Sequence, residues 1–260
     1  MRWLSRIGAA DLLTLANGFL GTLAITYVLD GEHVIASLLI LLAVVMDGLD
    51  GIVARNYGSP HEFGRFLDSI SDAVSFCLAP GLIIYNNFYD KALGNAWGSF
   101  PNALATVATL FFVVFGLLRL ARFAGKDFRM KSFLGLPTPA SAMLVLVLCL
   151  LWGNEALNPF SIGYEPYFII GAIIALAFLM VSDIRYPKIR GKLAMVAGLS
   201  MTLGILPLLS LVVSPSSQLS MKEITMVFFG LILIYIIGGP VYEKYRLNTR
   251  RKKKLSRDKT

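Results

Sequence analysis

Long apolar stretches recur along the whole chain, and each approaches the roughly 20 residues that a helix needs to cross a bilayer. Charged residues make up only 15% of the 260 residues, and the mean hydropathy is +0.69. Soluble domains have about 25% charged residues, so a soluble enzyme or a disordered chain fits this composition poorly. We therefore predict an all-α, polytopic integral membrane helix bundle with about eight transmembrane helices. The predicted spans are Leu12–Leu29, Val34–Ala54, Gly64–Tyr85, Ala103–Phe123, Ala140–Leu157, Pro166–Val181, Leu193–Val213 and Ile224–Val241.

The basic residues predict the orientation of these spans. With the N-terminus in the cytoplasm, 22 of the 24 Lys and Arg residues fall on the cytoplasmic side, and only Lys91 and Lys222 lie on outer loops. This asymmetry follows the positive-inside rule, so we predict a cell-membrane protein with both termini in the cytoplasm. Nine of the basic residues lie from Lys244 onward. We therefore predict a transmembrane domain over residues 1–243 and a basic cytoplasmic tail over residues 244–260, which lies near anionic lipid rather than nucleic acid.

Acidic residues interrupt the second predicted span near its cytoplasmic end. The apolar run that begins at Val34 has 13 residues and rises only about 20 Å, less than the roughly 30 Å of a bilayer core. Asp47 is therefore expected within the membrane, where a carboxylate costs at least about 2.5 kcal/mol to insert and where a functional role is the default interpretation. Asp47, Asp50 and Ala54 share one helix face through their spacing. Gly51 beside them lets a ligand approach the backbone closely.

The third predicted span carries the matching half of this polar face. Gly64, Asp68 and Asp72 are four residues apart, so they stack on one face of a helix. The connection between the two spans is short, which predicts that the helices are antiparallel neighbours and that four carboxylates converge. Four like charges cannot all stay ionised together without cations. Because the set holds only carboxylates, with no His or Cys, it suits Mg²⁺ or Mn²⁺, and such ions most often serve phosphate chemistry.

Two other interpretations of these acids stay open at this point. The acids could be ordinary helix-end residues that pair with Arg55 and Arg65. Four aspartates at these spacings favour a metal site instead. Intramembrane carboxylates also mark cation or proton transporters. Transporters usually have paired halves with polar interruptions in corresponding positions, and the C-terminal half of the sequence has no second aspartate cluster. A metal-dependent enzyme is therefore favoured.

The spacing of these residues also matches a known signature. The chain resembles, without departure, the CDP-alcohol phosphotransferases in the pattern Asp47-x2-Asp50-Gly51-x2-Ala54-Arg55-x8-Gly64-x3-Asp68-x3-Asp72. Eight positions are fixed within 26 residues, so the match is highly specific. The resemblance implies that the chain transfers a phospho-alcohol group from a CDP-linked lipid to an acceptor hydroxyl, with release of CMP. It also implies that residues 1–243 form a catalytic domain.

The resemblance implies roles for individual residues. Asp47, Asp50, Asp68 and Asp72 hold two metal ions, Mg²⁺ or Mn²⁺, over the pyrophosphate of the lipid, and Asp72 is also the general base. The polar segment Thr14–Gly18 is similar to the part of relatives that approaches the nucleotide. The donor is CDP-diacylglycerol or its archaeal ether analogue. The residues expected to bind this lipid are Asn17, Asp50, Gly51, Ala54, Arg55, Gly64 and Asp68.

A second stretch indicates the acceptor. Phe133–Ala140, which follows Arg119 and Arg122, resembles the region typical of the phosphatidylserine synthase branch, which includes archaetidylserine synthases. This resemblance implies L-serine as the acceptor, with its carboxylate bound by the two planar guanidinium groups. The stretch also fits an ordinary loop, and the arginines also fit interfacial anchors. Glycerol 3-phosphate and inositol phosphate stay open as acceptors. The resemblance further allows a homodimer, and the predicted topology places the active site at the cytoplasmic face.

Overall fold

The protein is almost entirely helical in a computed structural model, which describes residues 8–57, 62–125, 133–153, 165–186 and 218–257. The helices are α1 (Ala9–Leu29), α2 (His33–Tyr57), α3 (Glu62–Asp72), a π-helix (Ala73–Leu78), α4 (Ala79–Phe88), a short 3₁₀-helix (Lys91–Leu93), α5 (Phe100–Gly125), α6 (Thr138–Gly153), α7 (Glu165–Val181) and α8 (Gln218–Arg257). Two short strands, β1 (Phe133–Leu134) and β2 (Arg185–Tyr186), pair antiparallel. The prediction of an all-α bundle is thus confirmed for the described residues.

Five segments of the described chain are long and apolar enough to cross a membrane, and each overlaps a predicted span. They are Ala9–Leu29, His33–Ala54, Phe63–Phe88, Phe100–Ala124 and Met226–Arg246. Helices α6 and α7 are apolar but shorter, at 16 and 17 residues, and they coincide with the fifth and sixth predicted spans. The last four residues of the fifth predicted span, and the whole seventh span Leu193–Val213, lie outside the described residues. The protein is therefore a helical membrane protein.

Helix α1 packs against both helices that carry the predicted acids. It turns into α2 through Gly31, whose φ of +82° lies in the left-handed region that glycine enters without strain. It then packs extensively against both α2 and α3, whereas α2 and α3 are not closely packed against each other in the described part of the chain. Asp47 and Asp50 of α2 nevertheless lie close to Asp68 of α3, as the prediction of neighbouring helices requires. The two helices thus approach each other through these side chains.

Small residues bring α1 close to the third span. A Cβ atom added at Gly18 would lie 2.9 Å from Ser71 Oγ, and one at Gly21 would collide with Ser75. The Ser75 hydroxyl donates a hydrogen bond to the Asn17 carbonyl at 2.9 Å. Close backbone approach through small residues is a usual way for membrane helices to associate. This contact fixes the polar face of α1 against α3 and the π-helix.

The third span contains a π-helix directly after Asp72. Helix α3, the π-helix and α4 follow one another without a gap, and Ser75, Phe76 and Cys77 of the π-helix are buried. A Cβ atom added at Gly116 of α5 would lie 2.6 Å from Cys77 Sγ, so α5 packs closely on the π-helix. π-Helical turns are rare and occur frequently at functional sites. This one separates the acid-bearing half of the span from its apolar half.

Helix α6 lies at the centre of the bundle. All residues from Leu144 to Leu151 are buried, and α6 packs against α4, α7 and α8. A helix that is apolar on all sides is expected in such a position. Helix α8 continues beyond the predicted span end at Val241 to Arg257 and includes Pro240. Residues 244–257 of the predicted tail are therefore helical.

Candidate active site

Three of the predicted metal ligands meet between α2 and α3. The side chains of Asp47 and Asp50 from α2 and Asp68 from α3 each offer a carboxylate oxygen, and these oxygens lie within 4.8 Å of one another. We refer to these three residues as the carboxylate cluster. Asp50 is 7% exposed, and the other two are half-buried. Three carboxylates in such proximity fit a hard divalent cation, which prefers oxygen ligands and compensates their mutual repulsion.

The fourth predicted ligand, Asp72, lies beside the carboxylate cluster rather than in it. It is 9% exposed and interacts electrostatically with Asp47 and Asp68. Asn17 Nδ2 of α1 donates a hydrogen bond to Asp72 Oδ1 at 3.1 Å. Asn17, which is expected to bind the nucleotide, thus contacts an aspartate, and its Oδ1 is buried without a hydrogen-bond partner among the described residues. Asp72 is therefore held in place by α1, one helical turn away from Asp68.

Thr14 of α1 contacts one of the acids, and the sequence did not predict this contact. Its hydroxyl donates a hydrogen bond to Asp50 Oδ2 at 2.7 Å, within a buried environment. Asp11, Thr14 and Asn17 are all buried along one face of α1. Polar residues spaced by three on an otherwise apolar helix form such a face, and this spacing is the signal by which Thr14 could have been found. The face supplies hydrogen-bond donors to the acids of α2 and α3.

The small residues of the motif leave room beside the carboxylate cluster. A Cβ atom added at Gly51 would meet no atom within 4 Å, so protein packing does not require glycine there. Ala54 and Gly64 are half-buried on α2 and α3. The side chain of Arg55, which is also expected to bind the CDP-lipid, lies outside the described part of the chain. The open space at Gly51 is consistent with close approach of a ligand to the backbone of α2.

The two arginines expected to bind the acceptor have different surroundings. Arg119 is 6% exposed and interacts electrostatically with Asp72 and Asp47, so it adjoins the acids. Its Nη1 donates a hydrogen bond to Thr138 Oγ1 at 3.0 Å. Arg122, one turn further along α5, forms an ion pair with Asp183 at 2.7 Å. The structure thus brings Arg119 next to the predicted site and pairs Arg122 with the segment that follows α7.

The paired strands β1 and β2 position Thr138 at the start of α6. Gly135 has a φ of +74°, and a Cβ atom there would collide with the Met180 carbonyl, so glycine is required for two reasons. The Gly135 amide donates a hydrogen bond to the Ile184 carbonyl at 2.8 Å. The stretch Phe133–Ala140 therefore joins the start of α6 to the end of α7. Its placement brings Thr138 to Arg119.

Comparisons with known proteins agree with the aspartate motif. The family model described as CDP-alcohol phosphatidyltransferase matches residues 8–182. A CDP-diacylglycerol–serine O-phosphatidyltransferase of Helicobacter pylori is 39% identical over 228 residues, which cover 86% of this chain and 87% of that protein. A protein with the same name from Methanocaldococcus jannaschii is 38% identical, with 72% of this chain and 77% of that protein covered. The archaetidylserine synthase of Methanothermobacter thermautotrophicus is 36% identical, with 72% of each protein covered. The chain therefore belongs to the CDP-alcohol phosphatidyltransferase family, as its motif predicts, and is a membrane transferase rather than a transporter.

Proposed function

We propose that this protein transfers a phosphatidyl or archaetidyl group from a CDP-linked lipid to the hydroxyl of L-serine and releases CMP. The observation that carries the proposal is the meeting of Asp47, Asp50 and Asp68 in one cluster, with buried Asp72 beside it. The names of the relatives at 36–39% identity support serine as the acceptor. The donor is CDP-diacylglycerol or its archaeal ether analogue.

The carboxylate cluster is the proposed binding site for two divalent ions, Mg²⁺ or Mn²⁺, with Asp72 as a further ligand. When bound, such ions neutralise charge on the pyrophosphate and on the leaving CMP. The chain's own contribution is to hold the carboxylates in place through the hydrogen bonds from Thr14 and Asn17. The open space at Gly51 supports approach of the donor to α2. The proposed CDP-lipid-binding residues are Asn17, Asp50, Gly51, Ala54, Arg55, Gly64 and Asp68.

Asp72 is the proposed general base for the acceptor. The serine oxygen forms a bond to the phosphorus next to the lipid, the bond from that phosphorus to CMP breaks, and the serine hydroxyl proton passes to the Asp72 carboxylate. The hydrogen bond from Asn17 supports this role because it fixes the orientation of the carboxylate. Arg119 is the proposed partner of the serine carboxylate, and its proximity to Asp72 supports this role. Arg122 stays a weaker candidate, since Asp183 already engages its guanidinium.

The orientation in the membrane is part of the proposal. We propose eight spans with both termini in the cytoplasm, and an active site that opens to the cytoplasmic face of the cell membrane. The distribution of 22 of 24 basic residues supports this topology. Residues 1–243 form the proposed catalytic domain, and residues 244–260 form a basic segment near anionic lipid. A homodimer is the proposed assembly, by analogy with the family.

The test is a panel of acceptors with the purified protein in detergent. Labelled CDP-diacylglycerol, or its archaeal ether analogue, is supplied with Mg²⁺ or Mn²⁺ and with L-serine, glycerol 3-phosphate, inositol phosphate or no acceptor. We expect CMP release that depends on serine and a labelled lipid product that contains serine. Incorporation of a phosphorylated polyol instead of serine would overturn the acceptor and leave the reaction class intact.

A further inference from the structure

Two of the buried polar groups that have no hydrogen-bond partner among the described residues belong to side chains that interact with each other. One is Nε of Arg119 on α5, and the other is the hydroxyl of Tyr235 on α8. The two side chains interact electrostatically with each other. Buried polar groups are nearly always hydrogen-bonded in folded proteins, so an unpartnered one calls for an explanation. Two of them in the same part of the bundle indicate a place for a ligand that accepts hydrogen bonds.

The ring of Tyr235 is held by its own neighbours, independently of its hydroxyl. The centroids of the Tyr235 and Tyr186 rings are 6.0 Å apart, with an angle of 37° between the ring planes. Tyr186 is 1% exposed, and strand β2 pairs it with Phe133 of β1. The pairing of β1 with β2, which positions Thr138, thus also positions the ring against which Tyr235 packs. The location of the Tyr235 side chain is therefore fixed by packing, while its hydroxyl is left without a partner.

The place between these groups adjoins the proposed general base. Arg119 interacts electrostatically with Asp72 and Asp47, and its Nη1 is anchored by Thr138. We refer to Arg119, Thr138 and Tyr235 as the arginine site. A guanidinium and a phenol are both hydrogen-bond donors, and a carboxylate accepts several hydrogen bonds at once. The arginine site therefore fits the carboxylate of a small amino acid whose other end reaches toward Asp72.

We propose that Tyr235 is an acceptor-binding residue, and that its hydroxyl and the Nε of Arg119 together hold the carboxylate of the acceptor amino acid. This inference rests on the proposed function, since it takes serine as the acceptor. Tyr235 lies outside residues 8–182, the part of the chain that the family model matches. The C-terminal helix thereby adds a specificity group to an active site whose acids lie on α2 and α3.

The test is Tyr235→Phe, which keeps the ring and removes the hydroxyl. We expect the KM for L-serine to rise by about 10-fold, the loss of one hydrogen bond to a charged group. The KM for the CDP-lipid should stay within about twofold, because none of the proposed CDP-lipid-binding residues belongs to the arginine site. Turnover of serinol, in which a hydroxymethyl group replaces the carboxylate, should be unaffected. The matched control is Tyr242→Phe, on the same helix but 52% exposed, which should behave as the wild type.

Thermal unfolding of the substrate-free protein separates a binding role from a structural one. If the hydroxyl serves only the acceptor, its removal should leave the Tm unchanged or raise it, because an unpartnered buried hydroxyl is lost. A lowered Tm with an unchanged KM for serine would overturn the inference and make Tyr235 a packing residue or the partner of an ordered water. An equal rise in the KM of both substrates would also overturn it. Absence of serine transfer by the wild type would instead refute the proposed function, so the two failures are distinguishable.

Discussion

The carboxylate cluster and the arginine site adjoin each other, yet they are built in different ways. All four aspartates of the motif lie within 26 residues, on helices that are consecutive in the chain. The arginine site instead combines α5, α6 and α8, from position 119 to position 235. The aspartates proposed to act on the CDP-lipid thus lie in one short segment, whereas the proposed acceptor site depends on how distant helices pack.

The two sites also differ in how their hydrogen bonds are satisfied. The acids receive donors from α1, through Thr14 on Asp50 and Asn17 on Asp72. In the arginine site, a guanidinium Nε and a phenol hydroxyl have no acceptor within the described residues. One site thus concentrates negative charge, which attracts cations, and the other concentrates donors, which attract an anion. We make five predictions that distinguish the carboxylate cluster from the arginine site, in order of decreasing expected effect.

Loss of a cluster carboxylate should remove activity. We expect Asp68→Asn to abolish transfer, because an amide cannot replace an anionic ligand of a hard cation. A chelator should likewise abolish CMP release by the wild type, and added Mg²⁺ or Mn²⁺ should restore it. The control is Asp30→Asn, an exposed residue at the end of α1, which should keep full activity. Full turnover in excess chelator would refute the metal-dependent mechanism.

Loss of the proposed base should reduce rate more than binding. We expect Asp72→Asn to lower kcat by about 10²–10⁴, the usual contribution of a general base. Binding of the CDP-lipid should fall less than kcat, although some loss is expected because Asp72 is also a proposed ligand. Steady-state kinetics together with a CDP-lipid binding measurement make this comparison. A variant that binds the lipid normally and turns over at the wild-type rate would disprove the base assignment.

Replacement of Arg119 should affect the acceptor selectively. Lysine keeps the charge and loses the planar fork, so we expect Arg119→Lys to raise the KM for serine by about 10–100-fold, the value of one strong charged hydrogen bond. The KM for the CDP-lipid should change little. Kinetics with each substrate varied in turn measure both values, and thermal unfolding verifies that the variant is folded. An equal change in the KM of both substrates would contradict a role for Arg119 in acceptor binding alone.

Removal of the Thr14 hydroxyl tests the support that α1 gives to the carboxylate cluster. We expect Thr14→Val to weaken the apparent affinity for Mg²⁺ or Mn²⁺ by about 10-fold, the lower end of effects seen for residues that orient metal ligands. The measurement is the metal concentration that gives half-maximal activity. Thr22→Val on the same helix is the control, since the Thr22 hydroxyl is exposed and binds only the Gly18 carbonyl. Identical metal dependence in the two variants would leave Thr14 without a role in ion binding.

Replacement of Arg122 should have the smallest effect. Its ion pair with Asp183 joins side chains that are 34% and 88% exposed, and such pairs contribute about 0–1 kcal/mol. We therefore expect Arg122→Lys to change the KM for serine by less than about twofold and to change the Tm slightly. The same assays as for Arg119 apply. A rise in the KM for serine as large as that of Arg119→Lys would make both arginines part of the acceptor site.

The sequence predicted the elements that depend on local patterns. Apolar length predicted the helices, and the spacing of acids on two consecutive helices predicted the carboxylate cluster, because helical periodicity fixes which side chains share a face. It did not predict that α1 would pack against both α2 and α3. A short connection limits the distance between two helices, but the third helix that packs against them is chosen by small residues such as Gly18 and Gly21.

Contacts between distant helices were beyond the sequence analysis for a related reason. Arg122 pairs with Asp183, 61 positions away. Tyr235 of α8 packs near Tyr186 of β2 and interacts electrostatically with Arg119 of α5. The periodicity of one helix shows which residues share a face, but it does not show how that helix is rotated relative to another. The polar face of α1 was predictable only in part. Its spacing was readable in the sequence, whereas its hydrogen-bond partners Asp50 and Asp72 were not.

The π-helix at Ala73–Leu78 makes the third span sensitive to its length. Each residue of an α-helix turns the chain by about 100°, and the i→i+5 ring of a π-helix takes in one residue more than an α-helical ring. The part before the π-helix packs mainly against α1, whereas α4 after it packs mainly against α5 and also against α1 and α6. Deletion of one residue within this segment would therefore rotate one half of the span relative to the other. The acids would then turn away from α1, or the apolar half would turn away from α5. Substitutions along this span change single contacts, but a change of one residue in its length would misalign two interfaces at once.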